Sequence, residues 1–258
     1  MCLVLIAFRT HPHYPLVLAA NRDEFHARPS EPIHWWKGGV RMLAGRDLQA
    51  GGTWLGLDES GRMALVTNYR DPSSPRPEGT SRGTLIGDFL GGRESAGGFA
   101  RATAARARQF SGFNLLALDR DSLCYVTSRP EPEALLLPPG IYGLSNRRLD
   151  TPWSKLLVAR DRFAKILAND RPEPAALMRL LSDRSIAADK ALPDTGVGIE
   201  WERRLSAAFI VSEGYGTRCS TVVLGGKDGV VSVEERSHAP DGSTTQRVRI
   251  AYQALPPD

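Results

Sequence analysis

Cys2-Leu-Val-Leu-Ile-Ala-Phe8, then Arg9-Thr-His-Pro-His-Tyr-Pro15, then Leu16-Val-Leu-Ala-Ala-Asn-Arg-Asp-Glu-Phe25 open the chain and read as two strands around a turn. A turn centred between Pro12 and His13 sets Phe8 against Val17, Ile6 against Ala19, Val4 against Asn21 and Cys2 against Asp23. Partners across a ladder share a face because side chains alternate with period two. This register brings a thiol and a carboxylate together at one strand end and turns Arg22 to the other face. The run Cys2 to Phe8 is far shorter than the roughly 20 apolar residues of a membrane-spanning helix. It has neither the basic flank nor the small-residue cleavage site of a secretory signal, so a cytoplasmic protein without membrane insertion is expected.

A second hairpin follows in Gly52-Thr-Trp-Leu-Gly-Leu57 and Arg62-Met-Ala-Leu-Val-Thr-Asn68, joined by the turn Asp58-Glu-Ser-Gly61, with Asn68 at a strand exit. The Pro- and Gly-rich stretch Asp71 to Arg82 reads as a surface loop whose Thr80-Ser81 caps the next helix. Helices are expected over Arg82–Leu90, Ser95–Gln109, Trp153–Asn169 and Pro174–Leu181. Strands are expected near Phe113–Asp119, Leu123–Ser128, Ala134–Leu137, Ile141–Ser145, Ala207–Ser212, Arg218–Leu224, Val230–Glu235 and Arg247–Ala251. Blocks of strands interrupted by helix pairs predict antiparallel sheets with helices outside them, an α+β fold rather than a parallel α/β one. At 258 residues, with 41% hydrophobic and 24% charged residues, one domain over 1–258 with a substantial core is expected, and a disordered or coiled-coil chain is excluded.

The net charge is only +4, and the basic residues are scattered, which argues against a nucleic-acid partner. Three cysteines, at 2, 124 and 219, form neither a disulfide framework nor a CxxC zinc site. Cys2 is the most informative of them. Removal of Met1 ahead of a small side chain would leave Cys2 with a free α-amine whose reference pKa is about 7.7–8.0. One residue would then hold nucleophile and base. Asp23 could hydrogen-bond and orient that amine. The plainer readings are a small buried residue starting a strand for Cys2, and a polar turn after a strand for Asn21-Arg22-Asp23-Glu24.

The opening Met1-Cys2, the stretch His11 to Phe25 with Arg28-Pro29, Gly51-Gly-Thr-Trp54, Thr67-Asn-Tyr-Arg70, Tyr142-Gly-Leu-Ser-Asn146 and Leu149-Asp-Thr-Pro-Trp153 together resemble the NRDE family. Its eukaryotic members are known as transport-and-Golgi-organisation proteins. The resemblance implies an N-terminal-nucleophile hydrolase fold, a four-layer α-β-β-α sandwich of two antiparallel sheets. Similar enzymes, the penicillin V acylases and bile-salt hydrolases, cleave linear amides. Carried over by motif, Cys2 is nucleophile and base, Asp23 positions its amine, Asn68 and Asn146 are oxyanion donors, and Arg218 holds the site electrostatically. Asn21, Arg22 and Glu24 complete the motif as supporting residues. Those hydrolases carry Arg three residues before the Asp, where this chain has Ala20.

The resemblance also implies a second class of function, a haem-trafficking or lipid- and acyl-CoA-handling carrier. No CxxCH occurs, but His13 in the first loop could offer an axial ligand, and Trp35-Trp36 could line a groove for a porphyrin or acyl chain. The expected partner is thus a small acyl-amide, haem or lipid, with no cofactor or metal required.

Overall fold

The computed structural model describes residues 2–72 and 81–255, with Cys2 described by its backbone alone. In chain order the strands are β1 (Cys2–Phe8), β2 (Leu16–Phe25), β3 (Ser30–Trp35), β4 (Leu43–Asp47), β5 (Leu55–Leu57), β6 (Met63–Asn68), β7 (Phe113–Leu118), β8 (Leu123–Thr127), β9 (Glu133–Leu137), β10 (Gly140–Leu144), β11 (Tyr215–Gly225), β12 (Val230–His238) and β13 (Thr244–Gln253). The helices are α1 (Thr84–Gly91), α2 (Ala96–Ala105), α3 (Ser154–Leu167), α4 (Pro174–Leu181) and α5 (Ile199–Leu205). None of them is long and apolar enough to cross a membrane.

The chain, expected as one domain over 1–258, gathers into two compact units. One joins the first strands up to Ala27 with Pro139–Ala251, and the other joins Arg28–Pro138 with the last residues from Tyr252. A six-stranded sheet of order β10-β1-β2-β11-β12-β13 belongs to the first, and a seven-stranded meander from β3 to β9 to the second. The pairings are antiparallel, and each sheet has its own helices, as an α+β fold requires.

In the first unit α3 and α4 pack Leu156, Phe163, Leu177 and Leu181 against Leu3, Leu5, Ala7, Val17 and Ala19. The alternate residues Val4, Ile6 and Leu18 are also buried, so both faces of β1 and β2 are covered. This is why β1 reads as a continuous apolar run rather than an alternating one. In the second unit α1 and α2 cover Ala64, Val66, Leu115, Ala117 and Val126, which recur every second residue along β6, β7 and β8. The turn between β5 and β6 is built as its composition dictates. Asp58 Oδ1 accepts from the backbone of Ser60 and Arg62, and Gly61 takes φ +82°, which costs glycine nothing.

Two expectations need correction. The first hairpin pairs Cys2 with Arg22, Leu3 with Asn21 and Phe8 with Leu16, one residue away from the expected register. The loop closes by Arg9 N–H donating to Pro15 O, with Arg9 at φ +51°, so its centre falls on Pro12. Ala207–Ser212 is not a strand; it is a connection with one isolated bridge between Val211 and Gly216, although Phe209 and Ile210 are buried. Its apolar residues anchor a loop, and a short apolar run does not distinguish the two. Strands β3 and β4 and helix α5 carry no periodic signal long enough to have been expected. Most of the Asp71 to Arg82 loop, with Thr80 of the expected cap, lies outside the described residues; α1 starts at Thr84 with Gly83 before it.

Candidate functional site

The observed register sets Arg22 of β2 opposite Cys2. On the other side of β1 the ladder with β10 ends at Val4 and Leu144, two residues before Asn146. Asn146 is fully buried just beyond β10, and Ser145 Oγ donates to its Oδ1 at 3.3 Å. Arg22 therefore shares a face with Cys2, which corrects the sequence reading that turned it away; Asp23, by alternation, lies on the other face of β2.

Asp23 is 1% exposed. Its Oδ1 accepts from Thr217 Oγ1 at 2.7 Å, and its backbone carbonyl accepts from the Tyr215 hydroxyl at 3.1 Å. Burial raises its carboxyl from the ordinary carboxylate value, against the pull of the amino-terminal charge, Lys155, the Thr217 hydroxyl and Arg22. Lys155 comes from the start of α3 and is itself buried. The result is a desolvated carboxylate set among positive charges at the strand end beside β1.

Arg218 owes its place to an irregularity that no sequence pattern announces. The β2–β11 ladder pairs Asp23 with Thr217 and Arg22 with Cys219, leaving Arg218 as the extra residue of a bulge. A bulge bends its strand and re-aims a side chain. Arg218 Nη1 donates to the carbonyls of Phe25 and His26, both at 3.0 Å. Burial and then the like charge of Arg22 lower its guanidinium from the ordinary value.

Asn21, two residues before Asp23, is a brace. Its Nδ2 donates to Leu181 O at 2.8 Å and Ala208 O at 2.7 Å, tying β2 to the end of α4 and to the segment after α5. Glu24 Oε2 lies 3.9 Å from Arg22 Nη2. Thus Cys2, Asp23, Asn146 and Arg218 all belong to the first unit, at neighbouring strand ends, whereas Asn68 closes β6 in the second, paired with Phe113. Sequence reading missed Thr217, Tyr215 and Lys155. A Thr next to Arg218 was visible, but only the bulge gives it a partner.

The residues singled out for a carrier have contacts of their own. His13 is exposed and pairs with Asp170 at 3.1 Å. His11 is buried, accepting at Nδ1 from the His13 and Tyr14 amides and donating from Nε2 to Asn169 O, so it holds the hairpin loop. Trp36 donates to Ala44 O at 3.1 Å with Arg46 over its ring. Trp35 meets Tyr252 edge-on at 5.2 Å.

The model of the family described as Transport and Golgi organisation 2 matches residues 1–240. This chain belongs to that family. The Bos taurus transport and Golgi organization protein 2 homolog is 36% identical, covering 92% of this chain and 93% of its own. The Homo sapiens homolog is 34% identical over the same shares. Among solved structures, a mutant of the conjugated bile acid hydrolase from Clostridium perfringens aligns over 97% of this chain and 92% of its own, at 8% identity and TM-score 0.53. The Caenorhabditis elegans ortholog of N-acylethanolamine-hydrolyzing acid amidase aligns over 86% and 92%, at 10% identity and TM-score 0.51. At such identities the likeness is one of fold alone, an α+β fold of antiparallel sheets and helices like that of the N-terminal-nucleophile hydrolases.

Proposed function

We propose that this family member is a cysteine amidohydrolase that cleaves a linear acyl-amide bond from Cys2 once Met1 is removed. The observation that carries the reading is the buried Asp23 carboxylate on the strand beside Cys2. A free α-amine is a backbone group, so a carboxylate on the adjoining strand can hold it. In a desolvated setting that hold is stronger than in water. The names of the two structural relatives, an amidase and a bile acid hydrolase, agree with amide cleavage as the class.

In this mechanism the Cys2 sulfur attacks the amide carbon while its proton passes to the α-amine, whose reference pKa of about 7.7–8.0 suits a base at neutral pH. Asn146 donates to the developing oxyanion, a contribution of about 2.7–4 kcal/mol for a well-aimed donor. The C–N bond then breaks as the ammonium returns a proton to the leaving amine. Water, deprotonated by the same amine, attacks the thioester and releases the acid. Asp23 fixes the amine, and Arg218 holds positive charge at the strand end. The role of Asn68 as a further donor rests on the family resemblance.

The test begins with the intact mass of protein from its own host and iodoacetamide mapping of its thiols. Loss of Met1 with fastest alkylation at Cys2 is expected, since Cys124 and Cys219 are buried. Turnover of a panel of N-acylethanolamines and bile-acid amides should then vanish in Cys2→Ala and fall steeply in Asp23→Asn. Retained Met1, or a panel without turnover, would overturn the proposal and send the search to haem and acyl-ligand titrations, with His13→Ala as the probe of haem ligation.

A further inference from the structure

A second polar centre lies in the first unit, outside the Cys2 cluster. A cavity of about 70 Å³ is lined by Ser182, Arg184, Phe209, Ser220, Arg236 and His238, among others. One water needs only about 10–15 Å³ of such space, so the cavity has room for a group of several heavy atoms. None of the residues lining it is acidic.

The hydrogen-bond network fixes the chemistry of its wall. Asn21 Nδ2 spends both hydrogens on the carbonyls of Leu181 and Ala208, so Asn21 Oδ1 is an acceptor only. Ser220 Oγ stands 2.6 Å from that oxygen and must donate to it. Ser220 is therefore the acceptor for His238 Nε2, 3.0 Å away, and neutral His238 carries its hydrogen on Nε2. Its other nitrogen, Nδ1, holds a bare lone pair and is buried with no hydrogen-bond partner among the described residues. The His238 residue is 9% exposed, with Phe209 edge-on at 4.8 Å.

The charges around it are lopsided. Burial, and after it the charges of Arg236 and Arg184, lower the pKa of His238 to about 4, so it stays neutral at working pH. The nearby acids are already engaged. Glu234 is shared by Arg236, Arg247 and Arg249 at 2.8 to 3.0 Å, and Asp241 accepts from Ser243 N–H at the exposed turn. Among the described residues Arg184 makes one long hydrogen bond, to Gly242 O at 3.4 Å, lies over the Phe209 ring and adds its charge beside Asp241.

We infer that this cavity binds a phosphate group through Arg184, Arg236 and the Nδ1 lone pair of His238. Arg184 offers a forked donor that matches the oxygens of a tetrahedral anion, and Arg236, whose Nε and Nη2 are held by Glu234, adds its Nη1 and its charge. The lone pair of a neutral histidine asks for a hydrogen-bond donor, and a phosphate that retains one P–OH supplies it. Sulfate has the same shape and charge but no hydrogen to give at neutral pH, and a carboxylate has none either. A site that pairs with a ligand hydroxyl rejects the analogue lacking it, because its own polar group is then left unsatisfied. The same geometry excludes Ser220 as a nucleophile activated by His238, since its hydrogen is committed to Asn21.

Isothermal titration of the full-length protein with inorganic phosphate, sulfate and acetate at pH 7 tests this directly. Saturable 1:1 phosphate binding is expected, at least tenfold tighter than sulfate or acetate. Arg184→Gln, at an exposed position, should weaken phosphate at least tenfold while leaving the far-UV circular dichroism unchanged. His238→Phe should level phosphate and sulfate. Absence of saturable phosphate binding, equal affinity for phosphate and sulfate in the natural protein, or full binding in Arg184→Gln would each overturn the inference.

Discussion

Replacing Thr217 by Val removes one oxygen and keeps the shape of the side chain, at a residue only 1% exposed. That oxygen has two tasks. It donates to Asp23 Oδ1 at 2.7 Å and accepts from the Ile210 amide at 2.9 Å. A hydrogen bond to a charged group is worth about 1.5–3 kcal/mol, and the buried Ile210 N–H left without an acceptor costs about 1–3 kcal/mol more. The expected loss is about 2.5–6 kcal/mol. With an unfolding entropy of about 2.1 cal/mol/K per residue, this is a fall in Tm of roughly 5–11 °C. The pKa of Asp23, already raised by burial, should rise further because the Thr217 hydroxyl is one of the groups holding it down. Thermal unfolding at pH 7 gives the first number. A cycle of Thr217→Val, Asp23→Asn and the double variant isolates the pair. A Tm loss under 2 °C, or a coupling energy near zero in the cycle, would refute the view that Thr217 holds the Asp23 carboxylate.

Asn21→Asp should cost about 2–6 kcal/mol, since two carbonyls lose their donor at about 1–3 kcal/mol each; an unchanged urea midpoint would refute the bracing role of Asn21. Gly45→Ala should cost about 1–3 kcal/mol by overpacking, because its Cβ would overlap the Trp54 indole; Tm and tryptophan fluorescence report it. His238 has its folded pKa lowered from 6.5 to about 4. Between those values the unfolded chain binds the proton more readily, so stability present above pH 6.5 is lost as pH falls toward 4. In urea titrations, His238→Phe should flatten that slope relative to the natural protein, and an identical slope in both would show that another group is responsible.

The layout of strands and helices was legible because most of it rests on local rules. Apolar runs bounded by turn residues gave β1, β2, β6 to β8 and β10 within a residue or two and β5 with a start three residues early, and Pro174 at a first helical turn marked α4 to its last residue. Strand β4, Leu43-Ala-Gly-Arg-Asp47, stayed hidden because its glycine makes room for Trp54, a contact set by a distant part of the chain. The segment from Ala207 read as a strand because its residues are as apolar as a strand's, though they serve to seat a loop.

At the site the division is sharper. The sequence directed attention to Cys2 and Asp23 through their chemistry, and the family resemblance added Asn68, Asn146 and Arg218. Their mutual placement was decided by tertiary structure. A loop residue at positive φ shifted the first hairpin by one position, and in a ladder of period two that step exchanges Arg22 and Asp23 between faces. A bulge in β11 then set Arg218 outside the regular alternation. Neither event leaves a pattern along the chain, because both depend on how strands already folded close against one another. The chain of Asn21, Ser220 and His238 joins residues 199 and 18 positions apart, and only the completed sheet brings them within hydrogen-bond reach.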